Sequence, residues 1–400
     1  MTKLRNSLQR GNGSNAFIVG IDATNLRQGG GVTHLIELLR AADPIQQGVS
    51  KVIVWGSSQT LMLIDNKPWL EKINPRLLNK NLLWRSFWQR FILSSAAKKY
   101  GCNLLFVPGG SFSGNFSPIV SMSQNLLPFQ FSELKRYGYT WLSLKLILLR
   151  IIQVKTFRSS AGIIFLSNFA KETVKKVTGQ IKGLDTIIPH GLNYRFMMAP
   201  RPQKAITTYS NDEPYRILYV STIDQYKHQW HVVEAVSMLR RTTGWPLLLE
   251  LVGTAYPPAK KKLDASIERF DPYKNWVKYD GLAPYEKIHS LYKGADLVVF
   301  ASSCENMPNI LLESMAAGLP ISSSACGPMP EMLGQAGTYF DPENPISISE
   351  AILKLIQEPN SRSKFAALAF EQSKTYSWQK CARDTFAYLL TIGRLSDEGY

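Results

Sequence analysis

Glu305 and Glu313, with seven residues between them, bracket a short polar turn in the stretch LVVFASSCENMPNILLESMAAGLPISSSACG at 297–327. A turn that opens a helix presents backbone N–H groups with no partner in their own helix, so it attracts an anion. Lys227 lies far upstream, at the start of the helix that follows the apolar run YRILYV at 215–220. An ammonium there and the helix dipole both oppose the charge of a diphosphate, so the segment is a phosphate site in outline. Gly29, Gly30 and Gly31 form a third candidate, a loop able to turn tightly and approach a ligand, although a plain flexible turn fits the same residues.

These groups need elements to carry them. Leu297–Phe300 has the length and branching of a buried parallel strand, Pro308 suits the first helical position, NILLESMAA reads as helix, Gly318 as its stop and Leu319–Ser323 as the next strand. Such a crossover unit holds its working loop at the carboxyl end of the strand. Upstream, Phe17–Ala23, Lys51–Gly56, Leu104–Val107, Ile119–Met122, Ile163–Leu166 and Thr186–Pro189 read as strands, with helices at Val32–Ala42 and Asn81–Tyr100. Ser167 caps a further helix. The loop Gln124–Phe129, with Asn125, lies at a strand's carboxyl end and would line a crevice in a doubly wound sheet. His190, alone at a domain edge, reads as structural.

Downstream, Tyr215–Val220, Leu247–Gly253 and Val277–Leu282 add strands alternating with helices at Pro258–Phe270 and Pro284–Ala295. Two successive β-α arrays imply two facing Rossmann-like domains of α/β class. The expected division is a first domain at 1–195, a linker at 196–212 carrying Pro200 and Pro202, a second domain at 213–375, and a last helix at 376–400 returning to the first domain.

With 45% hydrophobic and 19% charged residues, the 400-residue chain reads as globular, and its length calls for more than one core. Four cysteines without a C-x-x-C spacing indicate neither a zinc site nor a disulfide framework, and point to a reducing cytosol. The first fifteen residues lack the apolar run of a signal peptide. Residues 1–200 hold 25 Lys+Arg against 8 Asp+Glu, a net of +17, whereas residues 201–400 hold 21 against 22. The excess in one half suggests that it faces a polyanion, either an anionic membrane surface or a nucleic acid. Nucleic acid is disfavoured because no zinc-finger, helix-turn-helix or RNP-like signature accompanies the charge. Trp141–Arg158 is too short and too basic to span a bilayer, and reads either as an interfacial helix or as a core helix whose basic residues face solvent.

The E-x7-E spacing of Glu305 and Glu313, followed by Ala317-Gly318-Leu319-Pro320 and then by Gly327 and Glu331, resembles the signature of retaining glycosyltransferases of family 4, which adopt the two-domain GT-B fold. The resemblance is close over the second domain and looser over the first. It implies that Glu305 contacts hydroxyls of the transferred sugar and that Glu313 accepts bonds from the ribose of a nucleotide-sugar, as suits a carboxylate facing a vicinal diol. Lys227 matches the family's diphosphate lysine, Gly253 its Val-Gly, and Tyr279–Leu282 the segment that contacts the base, while the loop with Asn125 resembles one in a subset of these transferases and would lie on the acceptor side. Asn309 and Ile310 would offer N–H groups to the departing phosphate.

Two departures stand out. Ser221-Thr222 replaces the family's Gly-Arg, so the second diphosphate cation must come from His228 or from the basic first domain. Pro308 replaces a glycine, which alters the sugar-side loop.

The expectation is a retaining glycosyltransferase without metal or other cofactor, moving a sugar from a nucleotide-sugar to a saccharide acceptor, lipid-linked in the fuller form of the reading, for cell-surface polysaccharide or lipopolysaccharide synthesis. It would work in the cytoplasm, peripheral at the inner face of the membrane. A nucleotide-sugar epimerase or hydrolase of the same fold and a non-catalytic polyanion-binding protein are the alternatives.

Overall fold

The computed structural model describes residues 16–398. The opening fifteen residues, where the absence of a signal peptide was read, lie outside the described residues. Among those described, the strands form two wholly parallel sheets. The first contains β1 (Ile18–Asp22), β2 (Lys51–Trp55), β3 (Leu70–Ile73), β4 (Leu104–Val107), β5 (Ile119–Met122), β6 (Gly162–Phe165) and β7 (Leu184–Ile187), in the order β3-β2-β1-β4-β5-β6-β7. The second contains β8 (Tyr215–Val220), β9 (Leu247–Val252), β10 (Val277–Tyr279), β11 (Leu297–Phe300), β12 (Ile321–Ser324) and β13 (Thr338–Phe340), in the order β10-β9-β8-β11-β12-β13.

The central strands are short apolar runs buried on both faces, as helices on either side of a parallel sheet require. In each sheet the strand order reverses once, between β1 and β4 and between β8 and β11, and loops at such switch points are where ligands bind.

Seven helices bear on the site: α1 (Gly30–Ala41), α2 (Leu82–Phe91), α3 (Trp141–Ser159), α4 (Asn168–Thr178), α5 (Gln229–Thr243), α6 (Asn309–Ala316) and α7 (Trp378–Asp397). Ser167 caps α4, its Oγ accepting from the Ala170 N–H. The chain crosses between the sheets through 3-10 turns at Tyr194–Phe196 and Ile206–Thr208, and the Met198 N–H donates to the Ala316 carbonyl at 2.9 Å. After the second sheet α7 lies back on the first, where Trp378 packs against His34 and His190, and the Tyr388 hydroxyl donates to the Leu184 carbonyl at 2.8 Å.

Several local expectations change. Residues 81–100 form two helices, because a break at Ile92 resets the phase so that Trp88, Leu93 and Ala97 reach one core. Pro308 precedes its helix with extended backbone (ψ 112°), so α6 starts at Asn309. The following strand starts at Ile321 rather than Leu319, since Pro320 has no N–H for the ladder and serves it only through its carbonyl, which accepts from Val298. The edge strands β3 and β13 were not read at all. One is charged and half-exposed, and the other is three residues long.

The largest surprise is α3. Its buried residues are Ser143, Leu146, Gln153, Thr156 and Phe157, while Trp141, Leu144, Ile147, Leu148 and Ile151 are exposed. Its basic residues Lys145, Lys155 and Arg158 face outward, as a core helix would have them, but so does much of its apolar surface. Among the described residues no helix is long and apolar enough to cross a membrane.

Candidate active site

Between the two sheets lies a cavity of about 1330 Å³. Gly29, Gly30, Gly31 and Asn125 line it from the first domain, and Thr222, Lys227, Gly253, Leu282, Glu305, Asn309, Ile310 and Glu313 line it from the second.

Lys227 sits in the loop between β8 and α5. Its N–H donates to the Asp224 carbonyl at 3.0 Å and its own carbonyl accepts from the buried Tyr219 hydroxyl at 2.7 Å, so both backbone groups are anchored. The ammonium is ion-paired to Glu305 Oε1 and lies 5.0 Å from the Tyr226 ring centroid and 5.3 Å from that of Phe300. Gly253 ends β9 at φ 151°, and a Cβ there would stand 2.1 Å from the Ser221 carbonyl oxygen, so only glycine lets the loops after β8 and β9 meet.

The start of α6 points at the same space. Asn309 and Ile310 occupy its first two positions, where an α-helix provides no acceptor for the N–H groups. The Asn309 Oδ1 is buried without a partner. On the next turn Glu313 is buried, and burial pushes its carboxyl up to about 8 even though Arg195 and the Tyr285 hydroxyl, 3.4 Å away, pull it down. Arg195 in turn stacks 3.9 Å from the Tyr285 ring centroid.

Thr222 is exposed at the rim, its Oγ1 3.3 Å from that of Thr254. His228, one of two candidates to replace the cation missing there, does not line the cavity: it adopts φ 52° and is fully buried, with Nε2 3.0 Å from Ser303 Oγ. Burial and the neighbouring Arg136 charge hold it down at about 3, so it brings no positive charge at neutral pH. The other candidate, the basic first domain, brings Arg85, Arg90 and Lys145 to its own wall of the cavity, and among the described residues none of them bonds to Thr222, Lys227 or Glu305, so no second cation stands beside the donor lysine.

On the first-domain side, Gly29 opens α1, and a Cβ on Gly31 would stand 2.7 Å from Gln124 Oε1, so the glycine loop rests on the loop after β5. Asn125 turns its Oδ1 toward its own backbone, accepting from the Leu127 N–H at 3.1 Å. His190 also lines the cavity, but its Nδ1 is 2.9 Å from Nδ1 of His34 and both rings are buried, which makes the pair a packing element beneath the site.

The two halves touch around the cavity. Asn306 Nδ2 donates to the Ser123 carbonyl at 3.0 Å, Ser167 Oγ donates to the Asn306 carbonyl at 2.7 Å, and the Tyr137 hydroxyl donates to Asp224 Oδ1 at 2.8 Å. Glu331 of the second domain accepts from the N–H groups of Asn168 and Phe169 at 2.8 and 3.0 Å.

Arg195, Tyr285 and Asn306 join the site without having been expected there. Arg195 lies in the segment between the sheets, where no periodicity assigns a direction. Asn306, next to Glu305, was within reach of the motif itself.

Residues 202–372 match the family model of glycosyl transferases group 1. Among curated relatives, the chain is 29% identical over 176 residues to O-antigen chain mannosyltransferase B of Escherichia coli, covering 43% of this chain and 45% of that protein. The chain thus spans less than half the length of the curated relatives it matches first. Among solved structures, sucrose-phosphate synthase from Thermosynechococcus elongatus superposes with a TM-score of 0.70 at 17% identity, over 96% of this chain and 99% of that one. Anabaena HepE in complex with UDP-glucose gives 0.69 at 16% identity, over 94% and 99%. At such identities the likeness establishes the fold, which is GT-B: two facing Rossmann-like domains with a cleft between them.

Proposed function

We propose that this chain, whose residues 202–372 carry the glycosyl transferases group 1 match, is a retaining glycosyltransferase of the family 4 type. It transfers a sugar from a nucleotide-sugar to a saccharide acceptor on a lipid carrier, at the inner face of a membrane, in surface polysaccharide synthesis. The observation that carries the reading is the convergence of Lys227, Glu305, Glu313 and the start of α6 on one cavity. The family relationship to an O-antigen mannosyltransferase supports the setting.

In this reading Glu313, with Tyr285, holds the ribose, and the diphosphate lies between Lys227 and the N–H groups of Asn309 and Ile310. Glu305 orients the sugar hydroxyls. As the bond from the anomeric carbon to the β-phosphate oxygen breaks, negative charge grows on that phosphate, and a preoriented ammonium and backbone N–H groups stabilise it. The acceptor oxygen attacks from the same face, the new glycosidic bond forms with retention, and the acceptor proton passes to the departing phosphate. Charge stabilisation is assigned to the chain's own groups, so turnover should survive EDTA.

Thermal-shift measurements against UDP, GDP, dTDP and ADP test the donor site, because a ligand that binds only the folded state raises Tm. One nucleotide should raise it in the wild type and not in Lys227→Ala. Failure of all four, or an undiminished shift in that variant, overturns the donor assignment. Consumption of nucleotide-sugar at full rate without acceptor would turn the reading toward the hydrolase or epimerase.

A further inference from the structure

The acceptor end of the cavity has a charge and surface pattern that the donor site leaves unexplained. Arg85 and Arg90 of α2 and Lys145 of α3 line it. Arg85 donates only weakly, to the Thr24 carbonyl at 3.5 Å and Asn25 Oδ1 at 3.4 Å, and its Nε is buried with no partner. Arg27 stands close by, its guanidinium bonded to the carbonyls of Leu78 and Lys80 and its Nε likewise buried and unpartnered. Burial, and then the charge of Arg27, lower the affinity of Arg85 for its proton.

Elsewhere arginines of this chain find carboxylates, as Arg40, Arg136 and Arg216 do. Among the described residues no ion pair includes Arg27, Arg85, Arg90 or Lys145. Asp22, at the end of β1, is occupied by Gln89 Nε2 at 2.5 Å and the Thr24 N–H at 3.0 Å. Like charges gathered without a counter-charge lower stability unless an anion joins them.

The same cations are flanked by grease. α2 exposes Leu83, Trp84, Phe87 and Phe91, and α3 exposes the apolar face described above; Phe87, Phe91 and Leu148 of these sets reach the cavity itself. Single exposed apolar residues are ordinary, but two helices that line one cavity and both expose several apolar side chains beside it mark a binding surface.

We infer that the acceptor is anchored by a phosphate or diphosphate held on Arg85, Arg90 and Lys145, with the apolar chain of its lipid carrier lying along the exposed faces of α2 and α3. The inference rests on the transferase reading and narrows its acceptor to a lipid-linked (di)phosphate. A guanidinium pair suits bidentate capture of phosphate oxygens, and the carrier chain removes from water the side chains that the fold leaves exposed.

Binding of farnesyl diphosphate below its micellar concentration, with inorganic pyrophosphate and farnesol as controls, tests it. Farnesyl diphosphate should bind the wild type, and the Arg85→Gln, Arg90→Gln double variant should bind it about tenfold or more weakly while keeping its nucleotide-dependent thermal shift. Retention of that shift also reports that the variant is folded. Both controls should bind much more weakly than the lipid diphosphate.

Equal binding by pyrophosphate would mean a free-phosphate site, and loss of binding in Lys227→Ala but not in the arginine variant would place the diphosphate in the donor site. Undiminished binding of farnesyl diphosphate by the arginine double variant would mean a general apolar or membrane surface. Each of the three overturns the inference. A missing nucleotide shift in the wild type would strike the transferase reading instead.

Discussion

Lys227 and Glu305, 78 positions apart in the chain, meet as an ion pair inside the interdomain cavity, with side chains only 7% and 15% exposed. An ammonium has three donors, so the pair leaves Lys227 able to hold a phosphate while Glu305 fixes its position. Removing one partner strands the other charge. Lys227→Ala should therefore destabilise the fold by about 2–4 kcal/mol, and adding Glu305→Gln should restore most of that loss. Both variants should lose turnover, by roughly 10²- to 10³-fold for the lysine. Urea unfolding beside turnover measures the two effects, and equal stability of the single and double variants would mean that the pair is not what holds the loop.

Glu313 makes stability depend on pH. Its folded pKa of about 8 lies above the ordinary 4.5, so between those values the folded protein keeps a proton that the unfolded chain has released. Stability from this group is thus complete below pH 4.5 and is lost as pH rises toward 8, with a limiting slope of about 1.4 kcal/mol per pH unit. Glu313→Gln, which cannot ionise, should melt progressively higher than the wild type as pH goes from 5 to 8, about 1 kcal/mol or more apart at the upper end. Parallel melting curves across that range would show that Arg195 and Tyr285 already compensate the carboxylate.

Glu331 holds the two domains together by accepting from the first N–H groups of α4, in the role of a helix cap supplied from the other domain. Glu331→Ala should cost about 0.5–2 kcal/mol and let the cleft open. Small-angle scattering would detect the opening as a larger radius of gyration, and an unchanged radius would assign closure to Arg136–Glu343 and Tyr137–Asp224 instead.

The outward apolar face of α3 predicts adsorption to anionic vesicles. Replacing Trp141, Leu144 and Ile147 with serine removes three exposed apolar side chains and should weaken flotation with vesicles by about tenfold or more, without altering the nucleotide-dependent thermal shift. Salt should weaken wild-type binding too, since Lys155 and Arg158 lie on the same helix. Undiminished binding in the triple variant would move the contact to another surface.

Much of the fold was legible because its signals are local. The apolar runs at Leu104–Val107 and Leu297–Phe300, the cap at Ser167 and the glycine after α6 each state their geometry within a few residues. The Glu305–Glu313 spacing belongs to the same class, since a strand, a turn and a helix start place both carboxylates on one crevice.

Local signals failed where direction depends on packing. Composition and spacing could not say that α3 buries Ser143, Gln153 and Thr156 and turns Trp141 and Ile151 outward, because that is decided by which neighbour offers hydrogen-bond partners and which offers apolar surface. Nor could they say that His228 points into the protein, that Arg195 stacks on Tyr285, or that Arg85 faces Arg27. By itself the sequence determined the parallel strands and the chemistry their loops can carry. The tertiary structure decided which distant side chains meet, because a pairing such as Lys227 with Glu305 exists only once two sheets have folded and closed on each other.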